Sequence, residues 1–198
     1  MRLFVAVDLP AEEKERLHAA TLPLRETGLP IRWLEPESIH LTLKFLGWVR
    51  PENADAMGRI MADAAAKTDP FVLSLDGYGA FPSIRRPRVI WAGVEATPPL
   101  RCLKHDVEWA FAPHGFEREV RAFQPHITLG RAKRDARAGD LREFERIISE
   151  MSYRSTVQVD TVDLMRSQLL PTGARYDRIA SARLGLAPVG GDGAGPAA

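Results

Sequence analysis

Alternating apolar and polar positions predict short strands along the chain, and apolar residues at helical spacing predict helices between them. The predicted strands cover residues 3–9, 31–34, 39–49, 71–75, 88–94, 123–132, 156–166 and 175–184. The predicted helices cover residues 10–26, 51–67, 98–111 and 140–151. The pattern is typical of a mixed α and β chain.

Turn and cap residues set the expected limits of these elements. Pro10, Pro51 and Pro98 stand at predicted helix starts, where a missing N–H is tolerated. Asp140 followed by Glu143 resembles a capping box and predicts the start of the last helix. A stretch rich in Gly, Pro and Arg is expected to separate the strands at 71–75 and 88–94. A turn at 171–173 is expected to join the last two strands.

One short pattern occurs twice, as His-Leu-Thr-Leu at residues 40–43 and His-Ile-Thr-Leu at residues 126–129. Side chains alternate faces in a strand, so each His and its Thr share one face while the aliphatic residues occupy the other. Chance would produce two such matches among the five histidines with odds of roughly one in a thousand. Each copy therefore predicts a core strand with one polar, chemically capable face.

A larger repeat contains this motif. Helix, motif strand, helix and two strands follow one another in the first half of the chain, and the same order returns in the second half. A duplicated architecture relates two lobes by a pseudo-twofold axis. We therefore expect the two motif strands to face one another across a cleft.

Composition narrows the function classes. A net charge of +1 means that any nucleic-acid binding must use a local basic patch rather than overall charge. Cys102 is the sole cysteine, which excludes an intrachain disulfide, and its apolar helical setting predicts a buried residue. The opening residues lack a signal-peptide pattern and no stretch has membrane-spanning length, so we expect a cytoplasmic protein without a membrane segment.

The residue types in the two motifs suit acid and base chemistry on a phosphate ester. Histidine titrates near neutral pH, so one copy can be neutral while the other is protonated. Two threonine hydroxyls can donate hydrogen bonds to non-bridging phosphate oxygens. No metal-ligand spacing and no nucleoside triphosphate loop accompanies the motifs, so we expect no metal and no cofactor.

The sequence resembles a known family. Residues 40–47 (His-Leu-Thr-Leu-Lys-Phe-Leu-Gly) and 125–131 (Pro-His-Ile-Thr-Leu-Gly-Arg) resemble the paired motifs of the two-histidine phosphoesterases. Within them the chain is similar to RNA 2',3'-cyclic phosphodiesterases, also described as 2'-5' RNA ligases. The stretches at 2–7, 88–91 and 166–176 are similar as well.

This resemblance implies a bilobal α+β fold, with antiparallel sheets lining a central cleft and helices packed outside. It implies hydrolysis of a terminal 2',3'-cyclic phosphate to a 2'-phosphate, with RNA ends or small cyclic nucleotides as substrates. His126 would be the proton acceptor and His40 the proton donor, an assignment that the symmetric motifs alone leave open. Thr42 and Thr128 would hold the phosphate.

Other residues keep two interpretations. Arg131 either adds a cation near the phosphate or the upstream strand, or is an exposed loop arginine. Phe45 either stacks on a terminal base or belongs to the core. Two basic runs are either solvated loops or an RNA track; they are Arg85, Arg86 and Arg88, and Arg131, Lys133, Arg134 and Arg137. No role is assigned to His18, His105 and His114.

Two alternative functions remain open, namely ligation of cyclic-phosphate ends into 2'-5' linkages and RNA binding without catalysis. We expect a monomer whose residues 1–185 form one bilobal domain. Residues 186–198 are rich in Gly, Pro and Ala and predict a disordered tail.

Overall fold

The computed structural model describes residues 1–170 and 173–186. Its strands are β1 (Arg2–Asp8), β2 (Ile31–Trp33), β3 (His40–Trp48), β4 (Phe71–Ser83), β5 (Arg86–Val94), β6 (His126–Ala132), β7 (Arg154–Val159), β8 (Thr161–Leu170) and β9 (Gly173–Arg183). Its α-helices are α1 (Ala11–Ala20), α2 (Leu22–Arg25), α3 (Ala54–Ala65), α4 (Pro98–Phe111) and α5 (Arg142–Glu150). The predicted tail lies outside the described residues except for Leu186, as does most of the turn predicted at 171–173.

The strands form one antiparallel sheet in the order β7-β4-β5-β6-β3-β1-β8-β9, with β2 also paired to β6. This order is symmetric about the junction of β3 and β6. We call β3, β1, β8 and β9 the first lobe, and β6, β5, β4, β7 and β2 the second lobe. The predicted bilobal α+β fold is confirmed.

The chain crosses between the lobes. The strands β4 and β5 follow β3 in sequence but pair with β6 and β7, so they belong to the other lobe. The strand predicted at 156–166 is divided at Asp160 into β7 and β8, which lie in different lobes. Because one residue separates β7 from β8, the sheet curls so that its end strand β7 comes close to β8 at Asp160.

Several predicted boundaries were wrong. The Gly-, Pro- and Arg-rich stretch extends β4 and β5 into one long hairpin instead of forming a separate loop. The first helix is divided at Thr21, because Pro23 cannot donate a helical hydrogen bond and favours the start of a new helix.

The positions of Asp140 and Cys102 also differ from expectation. The Asp140 carboxylate accepts the Arg137 backbone N–H at 2.8 Å, so it closes the turn before α5 and does not cap that helix. Cys102 is exposed, because α4 buries the stripe that contains Leu103 and Val107, from which Cys102 points away.

The main core is continuous across both lobes. It contains the inward side chains of β1, β3 and β6, including Val5, Leu41 and Ile127, each fully buried. Helices α1, α3 and α4 contribute Leu17, Met61 and Leu103 to the same core, whereas α2 and α5 cover a second cluster around Phe144. Among the described residues, no helix has the length and apolar character needed to cross a membrane.

Candidate active site

The two motif strands meet at the centre of the sheet. Leu41 of β3 pairs with Ile127 of β6, and this is the one paired position between the two strands. Extending the antiparallel register places His40 level with Thr128, and Thr42 level with His126. The motifs therefore lie side by side at the seam of the lobes, and the expectation that the two strands face one another across a cleft was wrong, because they are neighbours in one sheet.

Alternation then selects the polar face. Leu41 and Ile127 have no solvent exposure and point into the core. The flanking His and Thr side chains therefore emerge on the opposite face of the sheet, which we call the motif face. All four side chains are half-buried. Two imidazoles and two hydroxyls are thus brought onto one surface, as the sequence predicts.

Each motif strand has a β-bulge at the same motif position. Leu43 has no partner in β1 and Leu129 has none in β5, because the register of each strand pair shifts there. A bulge reverses the alternation beyond it. Lys44 consequently turns towards the helices and is buried, whereas Phe45 and Arg131 turn to the motif face and are exposed.

The two imidazoles are held in the same way. His40 Nδ1 lies 3.0 Å from the Ser38 carbonyl oxygen, and His126 Nδ1 lies 2.8 Å from the Gln124 carbonyl oxygen. A carbonyl oxygen can only accept, so each Nδ1 carries the hydrogen and each Nε2 is directed to the motif face. His40 Nε2 is 3.1 Å from Thr42 Oγ1.

Aromatic rings fix both imidazole planes. Phe4 and Tyr176 pack against His40, with ring centroids 4.8 and 4.9 Å away. Phe81 packs edge-on against His126 at 4.9 Å. These rings come from β1, β9 and β4, and sequence reasoning assigned them no role because only the sheet pairing brings them to the motifs.

Trp91 is a second aromatic ring beside His126, with the two ring centroids 6.4 Å apart. Its ring covers Gly79, where an added Cβ would lie 2.2 Å from the ring. Glycine at this position therefore gives Trp91 its place beside the motif. The adjacency of Gly79 and Trp91 is set by the β4–β5 register.

Burial lowers the pKa of His40 from 6.5 to about 4, although the Ser38 carbonyl and the Asp8 carboxylate act in the opposite direction. The positive charges of Lys14 and Arg131 lower this pKa further. Desolvation disfavours the charged imidazolium. His40 is therefore neutral at pH 7 in the absence of an anion.

The remaining candidates lie away from this face or on its border. His18 Nδ1 donates to the Leu34 carbonyl oxygen at 3.0 Å, which gives it a structural role, while His105 packs against Trp109. Members of both basic runs are exposed, in the β4–β5 hairpin tip and in the turns after β6; they are Arg85, Arg86, Arg88, Lys133, Arg134 and Arg137. Within residues 1–170 and 173–186, no group of three or more His, Cys, Asp or Glu side chains could hold a metal ion.

The symmetric sheet with paired His-x-Thr-x strands is the arrangement expected of two-histidine phosphoesterases. A profile of the 2'-5' RNA ligase superfamily matches residues 11–169. The RNA 2',3'-cyclic phosphodiesterase of Methanothermobacter thermautotrophicus is 32% identical over 176 residues, which cover 89% of this chain and 95% of that protein. This chain belongs to the 2'-5' RNA ligase superfamily.

Solved structures agree. A protein of Thermus thermophilus has a TM-score of 0.73 and 30% identity, covering 93% of this chain and 98% of that protein. Escherichia coli LigT, crystallised with 3'-AMP, has a TM-score of 0.68 and 26% identity, covering 92% of this chain and 97% of LigT. The similarity thus extends over both lobes.

Proposed function

We propose that this protein is an RNA 2',3'-cyclic phosphodiesterase that opens the cyclic end to a 2'-phosphate without a metal ion. The reciprocal register of the motif strands carries the proposal, because it sets each imidazole level with the threonine of the other lobe. Relatives that align over most of the chain have this activity in their names. The substrate is an RNA with a cyclic end, and small cyclic nucleotides belong to the same chemical class.

The reaction uses both histidines. His126 Nε2 accepts a proton from water, and the water oxygen forms a bond to phosphorus while the bond from phosphorus to the 3' oxygen breaks. His40 Nε2 donates a proton to the departing 3' oxygen, which leaves a 3' hydroxyl and a 2'-phosphate. Thr42 and Thr128 donate hydrogen bonds to the non-bridging oxygens and stabilise the charge that develops there.

His40 must gain its proton when substrate binds. The free ring is neutral at pH 7, and the positive charge of Arg131 is one cause. A phosphate monoanion beside the His40 ring adds an attractive charge that opposes this repulsion, which favours the imidazolium. Substrate binding thus favours protonation of His40, the proton donor.

Phe45 supports binding of the terminal nucleoside. It is 63% exposed on the motif face, which decides against a core position, and its ring lies 6.0 Å from Phe4. An exposed aromatic ring beside the reacting phosphate suits stacking on a base. The proposal also includes a monomeric enzyme in the cytoplasm.

The test is incubation with an oligonucleotide bearing a 2',3'-cyclic phosphate, in EDTA, followed by identification of the product end. We expect a 2'-phosphate from the wild-type protein and at least about a hundredfold loss of turnover in His40→Asn and His126→Asn. His114→Asn is the matched control, because His114 is exposed in the turn after α4.

Each other result contradicts the proposal in a different way. A lengthened RNA joined to a 5' hydroxyl end would identify ligation as the activity. Binding without turnover would identify an RNA-binding protein, and activity lost in EDTA would contradict the metal-free mechanism.

A further inference from the structure

Two arginines stand directly opposite one another beside the motif face. Arg32 of β2 pairs with Arg131 of β6, and both are exposed. Like charges opposite each other on neighbouring strands destabilise a sheet. Within residues 1–170 and 173–186, neither guanidinium lies within 4.0 Å of a carboxylate. In the part of the chain that the structure describes, this repulsive pair therefore has no direct acidic partner.

A third arginine, from the other lobe, acts on a tyrosine that the first two also affect. Arg2 of β1 pairs with Ser167 of β8, and Ser167 pairs with Tyr176 of β9. Burial raises the pKa of the Tyr176 hydroxyl, and the positive charges of Arg131, Arg2 and Arg32 act against that rise. All three guanidinium charges therefore act on the hydroxyl of the tyrosine that packs against His40.

The reacting phosphate does not need this much positive charge. A cyclic phosphate diester carries one negative charge, and the protonated His40 of the proposed mechanism already balances it. Arg131 is two register positions beyond Thr128 along β6, since Thr128 pairs with Trp91 and Arg131 with Val89, and this is about 7 Å of strand. The arginines are therefore placed to meet a second anion next to the first.

Exposed aromatic rings continue the same surface. Trp48 pairs with Arg2 and is 81% exposed, and pairing across antiparallel strands puts it on the same side of the sheet as Arg2. Phe45 pairs with Phe4 on this side and is also exposed. Alternating cations and aromatic rings are the features that bind single-stranded RNA.

We propose that Arg32, Arg131 and Arg2 form a second anion site for the phosphodiester that precedes the terminal cyclic phosphate. This inference rests on the proposed function and deepens it. The site selects oligonucleotides over cyclic mononucleotides, because a mononucleotide has no second phosphate. Trp48 lies opposite Arg2 on the neighbouring strand, where the base that precedes the terminal nucleoside can stack.

The test compares kcat/KM for a cyclic-ended trinucleotide with kcat/KM for a 2',3'-cyclic mononucleotide. In Arg32→Gln we expect the ratio of the two to fall about tenfold, since one charge-assisted hydrogen bond to the longer substrate is lost. The slope of log kcat/KM against log salt for the trinucleotide should become shallower by about 0.7. Arg59→Gln is the matched control, because Arg59 is exposed on α3, on the helical side of the sheet.

Stability provides a second readout. Removing one member of a repulsive pair should leave the Tm of the substrate-free protein unchanged or higher. A Tm several degrees lower in Arg32→Gln would contradict the idea that the pair is unneutralised in the free protein.

The outcomes separate this inference from the proposed function. If the wild-type protein turns over neither substrate, the proposed function fails. If it turns over both and the ratio in Arg32→Gln is unchanged, the second anion site is wrong. An equal loss on both substrates would also overturn it, because Arg32 would then act on the terminal phosphate.

Discussion

His40 is a half-buried ring that must carry a proton at one point of the reaction. We predict that NMR titration of the substrate-free protein gives His40 a pKa near 4, and that a nucleoside 2'-phosphate raises it by at least about one unit. His105, an exposed ring remote from the motifs, serves as the internal control. A bound-state pKa that stays near 4 would exclude His40 as the proton donor and favour the reverse assignment of acid and base.

The same group links stability to pH. The pKa of His40 is about 4 in the folded protein and near 6.5 when unfolded, so the unfolded chain binds the extra proton between these values. Its contribution to stability is complete above pH 6.5 and is lost as the pH falls through 4. The loss is at most about 3 kcal/mol, and smaller because the ring is only half-buried. In His40→Asn, chemical unfolding should lack this part of the pH dependence.

At the motif residues, the sequence predicted one polar face correctly because strict alternation holds from position 40 to 42 and from 126 to 128. The same alternation would put Lys44 on the polar face and Phe45 in the core. The bulge at Leu43 reverses both positions, and the bulge at Leu129 does the same for Arg131. A bulge depends on how a strand fits its neighbour, so it was not visible in the local pattern.

Among the secondary-structure elements, α4 is tied to β3 and to the segment before β6 by a buried ionic network. Lys44 Nζ is 2.5 Å from Glu108 Oε2 and 2.8 Å from the Glu117 carbonyl oxygen. Lys104 also pairs with Glu108, and it donates to the Leu43 carbonyl oxygen at 2.7 Å. The network therefore joins the bulge of β3 to the segment that leads into β6.

We predict that Glu108→Gln destabilises the protein by about 3–5 kcal/mol in urea unfolding, because two buried lysines lose their shared anion. Burial alone would raise the pKa of Glu108, but its hydrogen bonds from Lys104 and Lys44 produce a net lowering. Glu150→Gln is the control, since Glu150 pairs with Arg146 in solvent and should change stability by less than about 1 kcal/mol. Equal effects of the two substitutions would show that the network contributes nothing beyond a surface pair.

The elements also show where local sequence stops predicting. Helix and strand types were predicted well because apolar spacing is a local property. The division of one predicted strand at Asp160 was missed, since β7 and β8 are nearly continuous in sequence and separate only in the strands they pair with. That choice of partner belongs to the curled sheet and to no single segment.

For the whole molecule, the seam between the lobes carries the candidate active site on one face and contributes to the hydrophobic core on the other. Leu41 and Ile127 are fully buried in a cluster that also includes Leu73 and Leu164, one from each lobe. A shared core predicts that the lobes unfold together. Trp48 in the first lobe and Trp91 in the second should therefore report one transition, coincident with loss of circular dichroism.

Ile127→Ala tests this coupling at the single paired position between the motif strands. We predict a loss of about 2–4 kcal/mol from the cavity left in the core, with one transition retained. Turnover should fall as well, because Ile127 lies between His126 and Thr128. Its packing in the core fixes the positions of both side chains on the motif face. Val72→Ala, at a position 52% exposed on β4, should change neither. Two separate transitions in the variant would show that the lobes are independent units, and that the register at the seam does not hold the site together.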